Sequence, residues 1–236
     1  MQIKALQLSW LPLLASLLPI VTVIVCYTLS ASSGHIPACI PVFEGCTTVS
    51  SAGRYGISYF LFKAGLIPTA IALCFFWPLC RRWFHSLGGS DSFGLRAMVW
   101  LGVISALFLI LYAVFLGSDG DFYHLMRRFG VTLHFSFGYL AQVLLLNRLW
   151  DERRAGRLNL PRYISSGMFT ISIMMLILGL ISIPVEEIIP DPDKVIINTI
   201  EWNFSLLLFG WYLLPGLGWR SSSFKAGYAP PAAGGL

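Results

Sequence analysis

Six separate runs of about twenty mostly apolar residues divide this chain, at Ser9–Ala31, Ile57–Leu79, Ala97–Gly117, Phe129–Leu149, Ile164–Val185 and Asn198–Leu217. A helix rises about 1.5 Å per residue and the hydrocarbon core of a bilayer is about 30 Å thick, so each run is long enough to span it. Composition excludes the soluble alternative. Only 11% of the residues are charged and 56% are hydrophobic, against roughly 25% charged in an ordinary soluble domain. Disorder is excluded by the same numbers. Five Cys in 236 residues are too sparse for a secreted disulfide scaffold. Long stretches of strand-like alternation are absent, which argues against a transmembrane barrel. The expected fold is all-α and polytopic, with a six-helix transmembrane domain over residues 1–219 and a short disordered tail over 220–236.

The charges set the expected orientation. Lys4, Arg81, Arg82, Arg96, Arg148, Arg153, Arg154, Arg157, Arg162, Arg220 and Lys225 fall on one side, 11 of the 16 basic residues. The other side takes Glu44, Asp119, Asp121, Glu186, Glu187, Asp191, Asp193 and Glu201, 8 of the 11 acids. The positive-inside rule puts both termini in the cytoplasm. The net charge of +5 is then a topology signal, and no nucleic-acid partner is expected. Trp10, Trp77, Trp83, Trp100, Trp150 and Trp219 fall near the cytoplasmic span ends, where indoles act as headgroup anchors. Lys4 and the small residues Ser30-Ala31-Ser32 resemble a signal peptide, but the apolar run is longer than such a peptide needs. Short loops and a brief tail favour a bacterial inner membrane over a eukaryotic endomembrane.

Cys39 and Cys46 lie in the first outer loop with six residues between them. On an oxidising side they are expected to pair, two free thiols being the alternative. Cys26 and Cys74 read as packing residues, and Cys80 as a small interfacial residue or, less simply, a palmitoylation site.

Ionisable groups inside a bilayer are costly and each needs a partner or a purpose. Lys63, His134 and Glu201 lie close to the outer ends of the second, fourth and sixth spans. Arg54, Arg127 and Arg128 stand just above them. The functional reading is a headgroup site, because guanidinium groups grip phosphate in bidentate fashion. The plainer reading is snorkelling and internal pairing. No Cys/His metal cluster, haem pair, nucleophile elbow or phosphate loop is present in the sequence, so no metal and no cofactor is expected.

Three motifs carry a family resemblance. The stretch TTVSSAGRYGISYFLFKAGL (Thr47–Leu66) holds Ser50, Ser51, Gly53 and Phe62; His134 and Gly138 follow in the fourth span, and Glu201-Trp202 opens the sixth. In span order and in these residues the chain resembles the six-span family that includes the Frag proteins, the DRAM autophagy modulators, the yeast Sfk proteins and the GPI-remodelling PGAP and Cwh-type proteins. Lys63 resembles a basic residue of the GPI-remodelling branch. Gly56-Ile57-Ser58 stands where DRAM-like members carry Pro-Glu, so that carboxylate has no counterpart here. The resemblance implies lipid-related membrane biology without a fixed reaction. The expected function is binding, or assisting in remodelling, of an anionic membrane-lipid headgroup in the outer leaflet through Arg54, Lys63, Arg127, Arg128, His134 and Glu201. The alternative is a non-catalytic scaffold with a membrane-protein partner, for which Gly167 and Gly179 supply close-packing positions.

Overall fold

A computed structural model describes residues 6–156, 160–188 and 194–226. The elements are β1 (Leu6–Gln7), α1 (Trp10–Ser32), α2 (Pro41–Glu44), α3 (Val49–Ala52), α4 (Gly56–Ser86), α5 (Phe93–Phe115), α6 (Asp121–Arg154), α7 (Arg162–Ile188), α8 (Val195–Gly210), α9 (Leu213–Ser221) and β2 (Lys225–Ala226). Among the described residues five helices are long and apolar enough to cross a membrane: α1, α4, α5, α6 and α7. The protein is helical and of multi-pass membrane type.

The sixth expected span is divided. α8 has 16 residues and α9 has 9, and neither reaches spanning length alone. Pro215 is the reason. It has no N–H to offer the carbonyl of Trp211, which instead accepts from Leu214 N at 3.2 Å, a tightened turn. Trp211 and Tyr212 keep right-handed helical dihedrals, φ −56° and −66°, so the chain is kinked rather than reversed. Gln142 Nε2 donates to the Leu208 carbonyl at 3.0 Å beside the kink.

The helices pack in a ring. α1 lies on α4, α4 on α5, α5 on α6, α6 on α7, and α7 on α8 and α9, which close back onto α1. At the α4–α5 crossing, Gly102 lets the Trp77 ring lie flat on the helix; a Cβ there would stand 2.3 Å from that ring. β1 and β2 pair antiparallel, Leu6 opposite Ala226 and Gln7 opposite Lys225. Both described chain ends therefore meet at one end of the bundle. The Cys39–Cys46 disulfide is formed, and α1 carries the chain away from β1 to that loop, so the disulfide marks the opposite end.

Four sequence expectations are corrected. Trp77, Trp83 and Trp219 are 0% exposed and belong to the interior, since rings from α4 and α9 pack on one another there. Trp10 and Trp100 do stay exposed. Cys80 is fully buried within the protein, which leaves its thiol inaccessible to palmitoylation. The helix that carries the fourth span begins at Asp121, before the expected start at Phe129, because no helix breaker intervenes, and Arg127 and Arg128 thus sit inside α6. The expected tail starts later than residue 220: α9 runs to Ser221 and β2 follows, while residues 227–236 lie outside the described residues, as do Lys4, Arg157, Asp191 and Asp193.

Candidate functional site

The loop between α1 and α4 builds one wall of the site, and α8 holds that loop in place. Asn198, Glu201, Trp202 and Ser205 stand at i, i+3, i+4 and i+7 and so share a face of α8. Asn198 Nδ2 donates to the Gly45 carbonyl at 2.8 Å, and Trp202 Nε1 donates to the Thr47 carbonyl at 2.8 Å. The Glu201 carboxyl lies against the backbone N–H groups of Val49 and Ser50. From the edge of the same helix, Asn203 Nδ2 donates to the Val42 carbonyl at 2.8 Å. Gly45 makes the close approach feasible. Its φ is +55°, and a Cβ there would stand 1.9 Å from the Val195 carbonyl oxygen. On the other side Tyr27 Oη donates to the Cys39 carbonyl at 2.7 Å, and Ser30 Oγ donates to the Ala52 carbonyl at 2.8 Å. Gly53 then lets Phe62 tuck against the loop; a Cβ would lie 2.2 Å from that ring.

Between this loop and helices α5 to α8 lies a cavity of about 500 Å³. Its polar lining comprises Ser50, Arg54, Tyr112, His124, Arg127, Arg128 and Glu201. Its apolar lining includes Val131, Phe135, Ile197, Ile200 and Phe204. Tyr112, 5% exposed, is central: its hydroxyl faces Ser50 and lies within electrostatic range of Glu201, Arg54 and Arg127. Arg127, 8% exposed, donates to the Ser118 carbonyl at 3.0 Å and meets His124 Nδ1. Arg54 Nε is buried with no hydrogen-bond partner among the described residues. Among the described residues the ion pairs join Asp91 to Arg81, His85 and Arg96, and Arg148 to Asp151. Arg54, Arg127, Arg128 and Glu201 take part in none of them.

Four of the six expected site residues therefore converge: Arg54, Arg127, Arg128 and Glu201. Lys63 does not join them. It donates to Tyr59 Oη at 2.5 Å and to the Val114 carbonyl at 3.1 Å, and its ammonium lies over the Tyr59 ring. The plainer reading of Lys63 describes these contacts. His134 lies one layer deeper. It is 1% exposed, its Nδ1 faces Ser105 Oγ at 2.9 Å, and its ring stacks on Phe209. Nε2 has no partner among the described residues. His134 and Glu201 both line a second, small cavity of about 30 Å³, space for about one water. Tyr112, Val131 and Phe135 line both cavities, so the smaller one continues the larger toward the core.

Sequence reasoning missed Tyr112, His124 and the apolar lining, and held Ser50 only as a motif residue and not as part of the site. Tyr112 gave no signal because an aromatic within an apolar run reads as packing. The residues that carry the family resemblance do meet at this end: Glu201 touches the Ser50 backbone, and Gly53 seats Phe62. Gly167 faces Leu214 across a helix contact, whereas Gly179 lines the larger cavity. Among the described residues no group of three or more His, Cys, Asp or Glu is disposed to hold a metal ion. No family model, curated protein or solved structure matches the chain.

Proposed function

We propose that this protein binds a phosphate-bearing lipid headgroup at the extracytoplasmic end of a six-span bundle. The observation that carries the reading is the cavity of about 500 Å³ lined both by guanidinium groups and by Phe135, Ile200 and Phe204. A headgroup satisfies the first set and the start of an acyl chain the second. Lipid pockets need few polar groups provided those groups converge. Arg54 Nε, buried without a partner, is the kind of donor a ligand satisfies, since an unmade buried hydrogen bond is costly.

Three features support the topology. The β1–β2 pair brings the described ends of the chain to one face, which supports an even number of crossings. With α1, α4, α5, α6 and α7 crossing, the kinked segment α8–α9 supplies the sixth. The basic residues Arg81, Arg82, Arg96, Arg148, Arg153 and Arg154 cluster at the face with the termini, and the positive-inside rule makes it cytoplasmic. The disulfide then lies on the oxidising side. A bacterial inner membrane suits the short loops.

Native mass spectrometry of the purified protein tests the binding. The wild type should retain phospholipid. Arg54→Gln with Arg128→Gln should lower retention about tenfold, the loss of about 1.4 kcal/mol, without lowering the melting temperature. Equal retention in wild type and variant would overturn the reading. Cysteines placed at Ser90 and Asp119 test the topology with an impermeant thiol reagent on intact cells: only the Asp119 site should label.

A further inference from the structure

The cavity holds charges of both signs that do not neutralise one another. Arg54, Arg127 and Arg128 line it together with Glu201, yet among the described residues Glu201 makes no ion pair with any of them. A site built for a simple anion has no use for a carboxylate, which repels the ligand it should hold. Nor does Glu201 serve only to anchor the loop. An ionised carboxylate accepts about four hydrogen bonds, more than the backbone N–H groups of Val49 and Ser50 beside it can supply. Asn198 and Trp202 already fix the same loop. The remaining acceptor positions are available to a donor in the cavity.

Resting on the headgroup reading above, we infer that the ligand is a zwitterionic aminophospholipid, its phosphate held by Arg54, Arg127 and Arg128 and its primary ammonium by Glu201. Tyr112 lines the same cavity as Glu201, Arg54 and Arg127. A headgroup whose phosphate and amine are joined by a short carbon bridge offers both of its charges to that one cavity. A primary ammonium has three N–H donors, so it matches a carboxylate with open acceptor positions; a quaternary ammonium has none. Phe135, Ile200 and Phe204 give the lipid's glycerol and first methylenes an apolar surface, which a soluble phosphoamine would leave uncovered.

The test is a lipid panel on the purified full chain by native mass spectrometry: phosphatidylethanolamine, phosphatidylcholine, phosphatidylglycerol and phosphatidic acid at equal acyl composition. Wild type should prefer phosphatidylethanolamine over each of the others about tenfold. Glu201→Gln should erase that preference while retaining phosphatidylglycerol at least as well as wild type, with a melting curve as the check on folding. The wild-type panel needs no mutant, so a misfolded variant does not remove the test. Equal retention of all four lipids, with Arg54→Gln still lowering all of them, would overturn the amine assignment and leave the phosphate reading standing. Phosphatidylcholine matching phosphatidylethanolamine would overturn the primary-amine assignment. Retention of none of the four would overturn both readings. Free O-phosphoethanolamine is the soluble arm: displacement of bound lipid should need at least about a hundredfold excess, and displacement at equal concentration would overturn the lipid assignment.

Discussion

At the end of the bundle that holds both chain ends, Phe76, Trp77, Trp83, Tyr212 and Trp219 are all buried. Phe76 stacks on Trp219 at 5.5 Å and meets Tyr212 edge-on at 5.1 Å. Trp83 Nε1 donates to Ser222 Oγ at 2.9 Å, tying α4 to the residue after α9. At the disulfide end, a loop held by side chain to backbone hydrogen bonds encloses a cavity of about 500 Å³. Lipid tails are as apolar as Leu, so membrane helices associate through packing and hydrogen bonds rather than through apolar burial. The two ends use these two means separately. The aromatic end is filled and supplies rigidity; the polar end is held open by hydrogen bonds and is left with guanidinium groups facing space. A bundle that needed only stability would have filled both.

The largest effect should come from the filled end. Trp77→Ala removes a fully buried ring seated on Gly102 and should cost about 3–5 kcal/mol. Gly102→Val drives a side chain into that ring and should cost about 1–3 kcal/mol. Thermal unfolding in detergent checks both. Protein that stays folded should keep its bound lipid, and a variant that melts normally but loses lipid would break the division between the ends.

A smaller loss is expected at the disulfide. Cys39→Ser with Cys46→Ser should cost about 2 kcal/mol by the loop-entropy model. It should also loosen α2, whose Val42 carbonyl and following Gly45 carbonyl are gripped by Asn203 and Asn198. Lipid retention should therefore fall together with the melting temperature, and dithiothreitol should reproduce both. Loss of stability with retention intact would show that the loop does not shape the cavity.

The smallest effect belongs to Asp91, in the loop between α4 and α5. Desolvation pushes its carboxyl up, but the hydrogen bond and charge of Arg81, with Arg96 nearby, outweigh this and hold it below the ordinary carboxylate value. A group lowered in the folded state stabilises above its unfolded pKa, about 3.9 for Asp, and loses that contribution as pH falls through the lowered value. Asp91→Asn should thus shift the melting temperature slightly at pH 7 and not at all below the folded pKa. The group is exposed, so salt should shrink the shift. A shift that persists in acid would contradict the charge account.

The five helices long enough to cross a membrane were legible because a run of about twenty apolar residues leaves little choice but to cross. The last apolar run was legible as apolar but not as divided, since Pro215 acts only through the backbone of its own turn. The disulfide was legible from two Cys close together in one short loop. Arg54, Arg127, Arg128 and Glu201 could be grouped by depth alone, because charge at a helix end is conspicuous in an apolar chain. Rotation about each helix axis is not set by depth, and this is why Lys63 faces Tyr59 and Val114 while His134 turns inward to Ser105. Trp77, Trp83 and Trp219 were misplaced for the same reason: the sequence pattern locates an indole along the bilayer normal and not around it.

The central claim is that the open end, and not the bundle surface, holds lipid. A photoreactive benzoylphenylalanine placed at Ile200, on the cavity wall, should crosslink one phospholipid per chain that survives detergent purification. The same group at Leu140, exposed on α6, should crosslink only lipid that detergent removes. Stoichiometric, detergent-resistant crosslinking at Leu140 with none at Ile200 would contradict the account.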